Sequence, residues 1–156
     1  MIEVTIPGRQ GYRLDYLVLD LNGTITLDGN VISGVRERLA ALGKRLEIYV
    51  VTADTLGGAQ EIAKNLGVKI HKVEPGTEQS QKLRFVEQLG RERVVAIGNG
   101  SNDVAMLRES GLGICVIGPE GAAREAVANS DLVTTGINEA LDLILKPARL
   151  IASLRK

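Results

Sequence analysis

The chain has 156 residues and a mass of 16.7 kDa, which fits one domain over residues 1–156, because two halves would each be too small to bury a good core. Hydrophobic residues make up 44% of the chain and charged residues 24%, a balance that excludes a disordered or collagen-like chain. The 19 basic and 19 acidic residues cancel, and with three Tyr, one Phe and no Trp there is neither a basic surface nor an aromatic platform for nucleic acid.

Apolar strand segments alternate with amphipathic helices along the chain, a pattern that predicts a parallel sheet covered by helices. Strands are predicted over residues 16–20, 47–52, 69–73, 94–98, 113–117 and 132–134. Helices are predicted over residues 33–42, 57–66, 78–89, 102–109, 121–128 and 137–145, with a final helix after Pro147. Several strands are rich in Val and Ile without alternation, as expected of strands covered on both faces. The sequence therefore predicts an α/β fold, a three-layer Rossmann-like doubly wound parallel sheet.

Two segments depart from this alternation. Residues 2–6 form a predicted extra edge strand that leads through Pro7-Gly8 into a turn. Residues 24–32 contain two short β segments around Asp28-Gly29, a strong hairpin signal, and this hairpin directly follows the strand at residues 16–20. The remaining elements fill the chain, so we expect a β-hairpin flap and no cap domain. Ser33 is expected to cap the first helix, and four glycines are placed to end helices: Gly43, Gly67, Gly90 and Gly111.

The compartment can be inferred from what the sequence lacks. The longest apolar runs are only a few residues, so no segment is expected to span a bilayer, and Met1 to Val4 do not begin a signal peptide pattern. Cys115 is the single cysteine and cannot form an internal disulfide; its apolar surroundings predict a buried, inert thiol. We therefore expect a cytoplasmic protein with no membrane partner.

Polar residues follow the predicted strands at their carboxyl ends, where ligands bind in open parallel sheets. The first core strand ends in Asp20-Leu21-Asn22-Gly23-Thr24, the second ends at Thr52, and the fourth leads into Gly98-Asn99-Gly100-Ser101-Asn102-Asp103. Lys82 lies near the start of the helix before that fourth strand. Each feature alone could be turn chemistry, a cap or a solvated charge. Their occurrence together in this order favours a functional site.

These motifs resemble the haloacid dehalogenase-like phosphohydrolase superfamily and, within it, the phosphorylation domain of P-type ATPases. The family pattern is an apolar strand ending in Asp-x-Asp/Thr-Gly-Thr, a strand-end Thr or Ser, a Lys, and Gly-Asp-Gly-x-Asn-Asp. Here Val51-Thr52-Ala53-Asp54 is similar to the Thr-Gly-Asp of the pumps, and the resemblance covers residues 14 to 145. It implies a phosphohydrolase or phosphotransferase that acts on a phosphorylated substrate through an aspartyl phosphate.

The resemblance also implies a role for each residue. Asp20 is the expected nucleophile, and Thr52, Lys82 and Asn102 would stabilise the charge of the transferring phosphoryl group. The resemblance implies that Mg²⁺ is coordinated by Asp20, by the backbone carbonyl of Asn22 and by the first acidic position of the last motif, which is Asn99 here. Asp103, the last of the candidate site residues, is expected to orient Lys82 or a metal-bound water.

Two positions depart from the family pattern. Asn22 stands where the hydrolases have an Asp that serves as general acid and base, and where the pumps have Thr. The amide of Asn22 can act neither as a general acid nor as a general base, so we expect an aspartyl phosphate that is hydrolysed slowly. Asn99 replaces an acidic metal ligand with an uncharged amide oxygen, so we expect weaker Mg²⁺ binding.

Other functions remain open from the sequence. A regulatory or binding relative, disabled by Asn22 and Asn99, is the main alternative to an enzyme. A receiver domain would need an acidic pair before the phosphorylated Asp, and only Glu3 and Asp15 precede Asp20. Dinucleotide binding through residues 98–103 is weak because the third glycine position holds an Asp and the motif follows a late strand. His71 is the single histidine, which excludes a His cluster. Without a cap, a homo-oligomer that covers the strand ends is expected.

Overall fold

A computed structural model describes residues 1–156, and its centre is a six-stranded parallel sheet. Its strands are β3 Tyr16–Asp20, β6 Glu47–Thr52, β7 Lys69–Lys72, β8 Val94–Gly98, β9 Leu112–Val116 and β10 Leu132–Thr134. Across the sheet they lie in the order β10, β9, β8, β3, β6 and β7. The chain moves outward from β3 in one direction and then, through β8, in the other. The topological switch therefore lies between β3 and β8, where a ligand crevice is expected in such sheets.

Seven α-helices connect and cover these strands: α1 Val35–Leu42, α2 Ala59–Leu66, α3 Glu78–Leu89, α4 Val104–Glu109, α5 Arg124–Ala128, α6 Ile137–Leu145 and α7 Pro147–Leu154. Two apolar cores lie on opposite faces of the sheet. Leu17 and Leu19 of β3 pack with α1, α2, α6 and α7, whereas Val18 packs with α3, α4 and α5. This alternation follows from the period of two along a strand. The predicted three-layer, doubly wound fold is confirmed.

The amino-terminal segment differs from its prediction. Ile2–Val4 (β1) does not extend the main sheet as an edge strand but pairs antiparallel with Tyr12–Leu14 (β2) in a separate two-stranded sheet. The turn that begins at Pro7-Gly8 reverses the chain, and β2 then runs almost directly into β3. Ile2 and Val4 are buried in the same apolar core as the α1 side chains, so this segment contributes to packing on that face of the main sheet.

The flap hairpin is present with shorter strands than its predicted span. Thr26–Leu27 (β4) pairs antiparallel with Asn30–Val31 (β5). Asp28 and Gly29 form the two-residue turn, with φ of 53° and 82°. Positive φ at both positions is what this turn requires, because its twist then matches the twist of the flanking strands. No additional domain is inserted between the elements of the sheet, so the expectation of no cap domain holds.

Several boundaries differ from the predicted ones at the helix starts. The first helix begins at Val35 after Gly34, whose φ of 91° makes it the capping residue in place of Ser33. The fourth predicted helix divides into a short 3-10 turn at Ser101–Asp103 and α4.

His71 lies on β7 and stacks on Phe85 of α3, with ring centroids 4.0 Å apart. No helix has the length and apolar character that a membrane span needs.

Candidate active site

The carboxyl ends of β3, β6 and β8 surround a polar cavity of about 400 Å³. Six of the seven predicted site residues line it: Asp20, Asn22, Thr52, Lys82, Asn99 and Asn102. The lining also includes Thr55, Glu78 and Ser101, which the sequence did not single out as site residues. Asp103 lies beneath the cavity and does not line it. The predicted residues therefore come together around one small space, with one of them in a supporting position.

Asp20 is the last residue of β3 and is only 9% exposed. Its Oδ1 accepts a hydrogen bond from Lys82 Nζ at 2.9 Å, and its Oδ2 accepts one from the Thr24 hydroxyl at 3.2 Å. Burial and, next, the nearby charge of Asp103 raise the pKa of Asp20 to about 6, against the opposing effect of Lys82. The carboxylate is thus held in a defined orientation at the cavity and is ionised at neutral pH.

Lys82 is a fully buried ammonium, with 1% of the residue exposed. Its Nζ donates to Asp20, to Asn102 Oδ1 at 3.1 Å and to Asp103 Oδ1 at 2.8 Å, so all three of its hydrogens have protein acceptors. Burial opposes the charge, but Asp20 and Asp103 outweigh burial and hold the pKa of Lys82 above its ordinary value. Lys82 is therefore a permanent positive charge behind the site.

Asp103 is completely buried and fixes the geometry of two other elements. Its Oδ1 accepts from Lys82, and its Oδ2 accepts the backbone N–H groups of Asn99 and Gly100, both at 3.0 Å. A side chain at Gly98 would place its Cβ 2.5 Å from this carboxylate, so only glycine fits there. With both oxygens already engaged, Asp103 orients Lys82 and the turn after β8.

The hydroxyl of Thr24 connects the nucleophile candidate to the turn after β8. It lies 3.2 Å from Asp20 Oδ2 and 3.2 Å from Asn99 Oδ1. Because a hydroxyl carries one hydrogen, it can serve only one of these oxygens at a time. The Asn99 Nδ2 group donates to the backbone carbonyl of Gly121 at 3.4 Å, so Oδ1 is the atom that faces Thr24. Thr24 is a site residue that its position in the Asp-x-Asn-Gly-Thr motif could have identified.

Thr52 ends β6 and lines the cavity. Its Oγ1 accepts the backbone N–H of Asp54 at 3.0 Å, so the hydroxyl hydrogen is available to a ligand oxygen. Asp54 takes a positive φ of 56°, and its carboxylate accepts the N–H of Ala59 at the start of α2. Asp54 therefore fixes the Thr52 side chain through its N–H group and the start of α2 through its carboxylate.

The donors at the cavity favour a hard cation over a softer metal. The structure contains no group of three or more His, Cys, Asp and Glu side chains that could hold a metal ion. The available ligands are oxygens: the Asp20 carboxylate, the backbone of Asn22 and the amide of Asn99, all at the same cavity. The buried cluster of Asp20, Asp103 and Lys82 also has one excess negative charge. A set of oxygen ligands that includes one carboxylate, that of Asp20, fits Mg²⁺, which keeps several waters.

The sequence matches two groups of known proteins. The chain is 44% identical over 92 residues to an uncharacterized protein of Methanocaldococcus jannaschii, and the match covers 56% of this chain and 99% of that protein. It is 30% identical over 113 residues to the ATP-binding subunit of a potassium-transporting ATPase of Deinococcus radiodurans, which covers 72% of this chain and 17% of the subunit. The chain thus spans less than a fifth of that pump subunit.

Solved structures share the fold. A 3-deoxy-D-manno-octulosonate 8-phosphate phosphatase of Moraxella catarrhalis, in complex with magnesium, phosphate and its sugar acid, superposes with a TM-score of 0.69, 22% identity and 90% coverage of both chains. The catalytic domain of the pump CopB superposes with a TM-score of 0.61 and 21% identity over 73% of this chain and 46% of that chain. The model of the haloacid dehalogenase-like hydrolases matches residues 4–111. The chain therefore belongs to the haloacid dehalogenase-like hydrolase family.

Proposed function

We propose that the protein is a Mg²⁺-dependent phosphohydrolase or phosphotransferase that forms an aspartyl phosphate on Asp20. The observation that carries this proposal is the placement of Asp20 at the end of β3, between the buried ammonium of Lys82 and the hydroxyl of Thr24. A carboxylate held on two sides presents its remaining lone pairs to the cavity in a fixed direction. Such positioning is the main contribution that a protein makes to phosphoryl transfer.

The proposed reaction has two displacements. In the first, an Asp20 oxygen attacks phosphorus, and the bond from phosphorus to the leaving oxygen breaks; that oxygen keeps the electron pair and takes a proton from water. In the second, the oxygen of water or of another hydroxyl acceptor attacks phosphorus and its proton passes to solvent. The bond from phosphorus to Asp20 breaks, the carboxylate keeps the electron pair, and inorganic phosphate or the phosphorylated acceptor is released. Thr52 and Asn102 line the cavity and would donate hydrogen bonds to the phosphoryl oxygens. Lys82, whose hydrogens are engaged with protein oxygens, would stabilise the phosphoryl charge through its own positive charge.

Asp20, the backbone carbonyl of Asn22 and the amide oxygen of Asn99 would hold Mg²⁺ in this proposal. The ion would supply positive charge against the phosphoryl oxygens. Because Asn99 contributes no charge, the protein itself provides one ionised ligand, and affinity for the free ion should be lower than with a second carboxylate. The magnesium and phosphate bound by the Moraxella catarrhalis phosphatase support the choice of metal.

Asn22 shapes the second displacement. A positioned carboxylate that activates water typically contributes ~10² to 10⁴ in rate, and an amide has no basic lone pair for this role. We therefore propose that the intermediate forms readily and is discharged slowly. The same residue is the observation that favours a second candidate function, a binding or regulatory protein that recognises phosphate without turning it over.

The experiment that tests the proposal is acid-quenched labelling. Wild-type protein is mixed with Mg²⁺ and labelled acetyl phosphate, quenched in acid, and analysed for covalent phosphate. The proposal expects acid-stable, alkali-labile label in wild type, none without Mg²⁺ and none in Asp20→Asn. Label that persists in Asp20→Asn would assign the nucleophile elsewhere. Absence of label and of turnover in wild type would leave the binding function.

A further inference from the structure

The active-site cavity continues into a second groove. This groove, of about 610 Å³, runs over the start of α3 and the turn after β8. It shares Glu78, Ser101 and Asn102 with the 400 Å³ cavity. The rest of its lining is Gly76, Thr77, Gln79, Ser80, Leu83 and Ala105. If Asp20 receives the phosphoryl group, as proposed above, this adjoining groove, called here the leaving-group groove, is where the remainder of the substrate can lie.

The leaving-group groove contains one charged side chain, that of Glu78. The cavity beside it holds a single cation, Lys82, whose three hydrogens are already bonded to protein oxygens. Lys72 is exposed but lies 3.7 Å from the Asp54 carboxylate and lines neither space. A carboxylate or second phosphate on the leaving group would therefore meet a like charge from Glu78 and no counter-ion.

The uncharged part of the groove combines hydroxyl and amide groups with a small aliphatic floor. Ser80, Gln79 and Ser101 supply polar atoms at the rim, and Leu83 and Ala105 supply the floor. No aromatic ring lines the groove, so a nucleobase would find no stacking surface. This lining suits a short leaving group that carries hydroxyls and carbon chain but no charge.

We propose that the substrate is a phosphate monoester of an uncharged, hydroxyl-bearing alcohol, and that Glu78 rejects leaving groups that carry a negative charge. The inference rests on the proposed function, because it assigns the other end of the same substrate. It distinguishes this chain from the Moraxella catarrhalis phosphatase, which was crystallised with a sugar acid. Glu78 is thus a specificity-determining residue, four positions before Lys82 on the same helix.

The test compares two esters of the same carbon length, glycerol 3-phosphate and 3-phosphoglycerate, which differ in one carboxylate. For wild type we expect kcat/KM to favour glycerol 3-phosphate by about tenfold or more, as one uncompensated like charge in a partly exposed site predicts. In Glu78→Gln this ratio should fall several-fold, and in Glu78→Lys it should fall further or reverse. Glu37→Gln, which removes an acid from the first turn of α1 away from both spaces, should keep the wild-type ratio.

The ratio separates specificity from structural damage, because a general loss of activity lowers both esters equally. An unchanged ratio in Glu78→Gln overturns the proposal, as does a wild type that prefers 3-phosphoglycerate or treats the two esters alike. Wild-type turnover of acetyl phosphate is measured beside them. If wild type turns over acetyl phosphate but neither ester, the substrate assignment is wrong while the proposed function stands. If wild type neither turns over acetyl phosphate nor forms covalent phosphate, the proposed function is wrong, and the substrate assignment that rests on it is wrong as well.

Discussion

Removing the Asp20 charge should change how the stability of the metal-free protein depends on pH. Two buried carboxylates, Asp20 and Asp103, share the single ammonium of Lys82. Burial of Asp20 and then repulsion from Asp103 raise its pKa from 3.8 to about 6. A carboxyl group with a raised pKa binds its proton more tightly in the folded state. Its stabilising contribution is therefore complete below pH 3.8 and is lost as the pH rises through about 6.

The magnitude follows from the two pKa values. The full difference between 3.8 and about 6 corresponds to about 3 kcal/mol, of which roughly half is lost between pH 5 and pH 8. Asp20→Asn has no such titration and leaves Lys82 paired with Asp103 alone. The unfolding free energy of the variant minus that of wild type should therefore increase by about 1 to 2 kcal/mol from pH 5 to pH 8.

Urea unfolding followed by circular dichroism, in EDTA and without phosphate, measures this difference at several pH values. Asp28→Asn, in the exposed turn of the flap, is the matched control and should show no such increase. Adding Mg²⁺ should stabilise wild type more than Asp20→Asn at pH 8, because the ion binds the ionised folded site. If the difference in unfolding free energy between Asp20→Asn and wild type stays constant or decreases as the pH rises, the argument that burial and Asp103 raise the pKa of Asp20 is wrong.

The other predictions concern the departures from the family pattern and the packing behind them. Asn22→Asp should discharge the aspartyl phosphate faster, by up to ~10² in quenched-flow measurements, whereas equal discharge would make Asn22 a turn residue only. Asn99→Asp should bind Mg²⁺ about tenfold or more tightly by calorimetry, since it adds a charge near the ion; unchanged affinity would place Asn99 away from the metal. Gly98→Ala should destabilise the fold by about 1 to 3 kcal/mol in urea, because its Cβ would overlap the Asp103 carboxylate. Light scattering should give a homo-oligomer, and a monomer at all concentrations would favour a macromolecular substrate.

The position of the site was predictable because parallel strands end at the same edge of a sheet. Asp20, Thr52 and Asn99 are far apart in the sequence, yet each ends or directly follows one of three strands that the structure places side by side. Their alignment needs only the strand assignments and the rule that carboxyl ends meet. The prediction of the flap succeeded for a local reason, since Asp28-Gly29 specifies its turn without help from the rest of the fold.

The features that the sequence did not reveal depend on packing between distant elements. Residues 12–14 form a strand of three residues, too short for a pattern of period two, and pair only because the chain reverses after β1. Glu78 and Thr55 follow no core strand directly, so the strand-end rule does not select them. Glu78 nevertheless lies four residues before Lys82 on a helix, a spacing that puts both on one face and could have indicated its place at the site.

Asn22 and Asn99 at the cavity affect the stability of the folded protein when no cation is bound. The buried cluster of Asp20, Asp103 and Lys82 already has one excess negative charge. Aspartates in place of Asn22 and Asn99 would add two more charges beside Asp20, and each would raise its pKa further and destabilise the metal-free fold. Neutral amides keep oxygen ligands at the same places without that repulsion. The arrangement therefore favours a protein that folds without Mg²⁺ at the expense of metal affinity and of a base for hydrolysis, so Asn22→Asp and Asn99→Asp should each lower stability in EDTA.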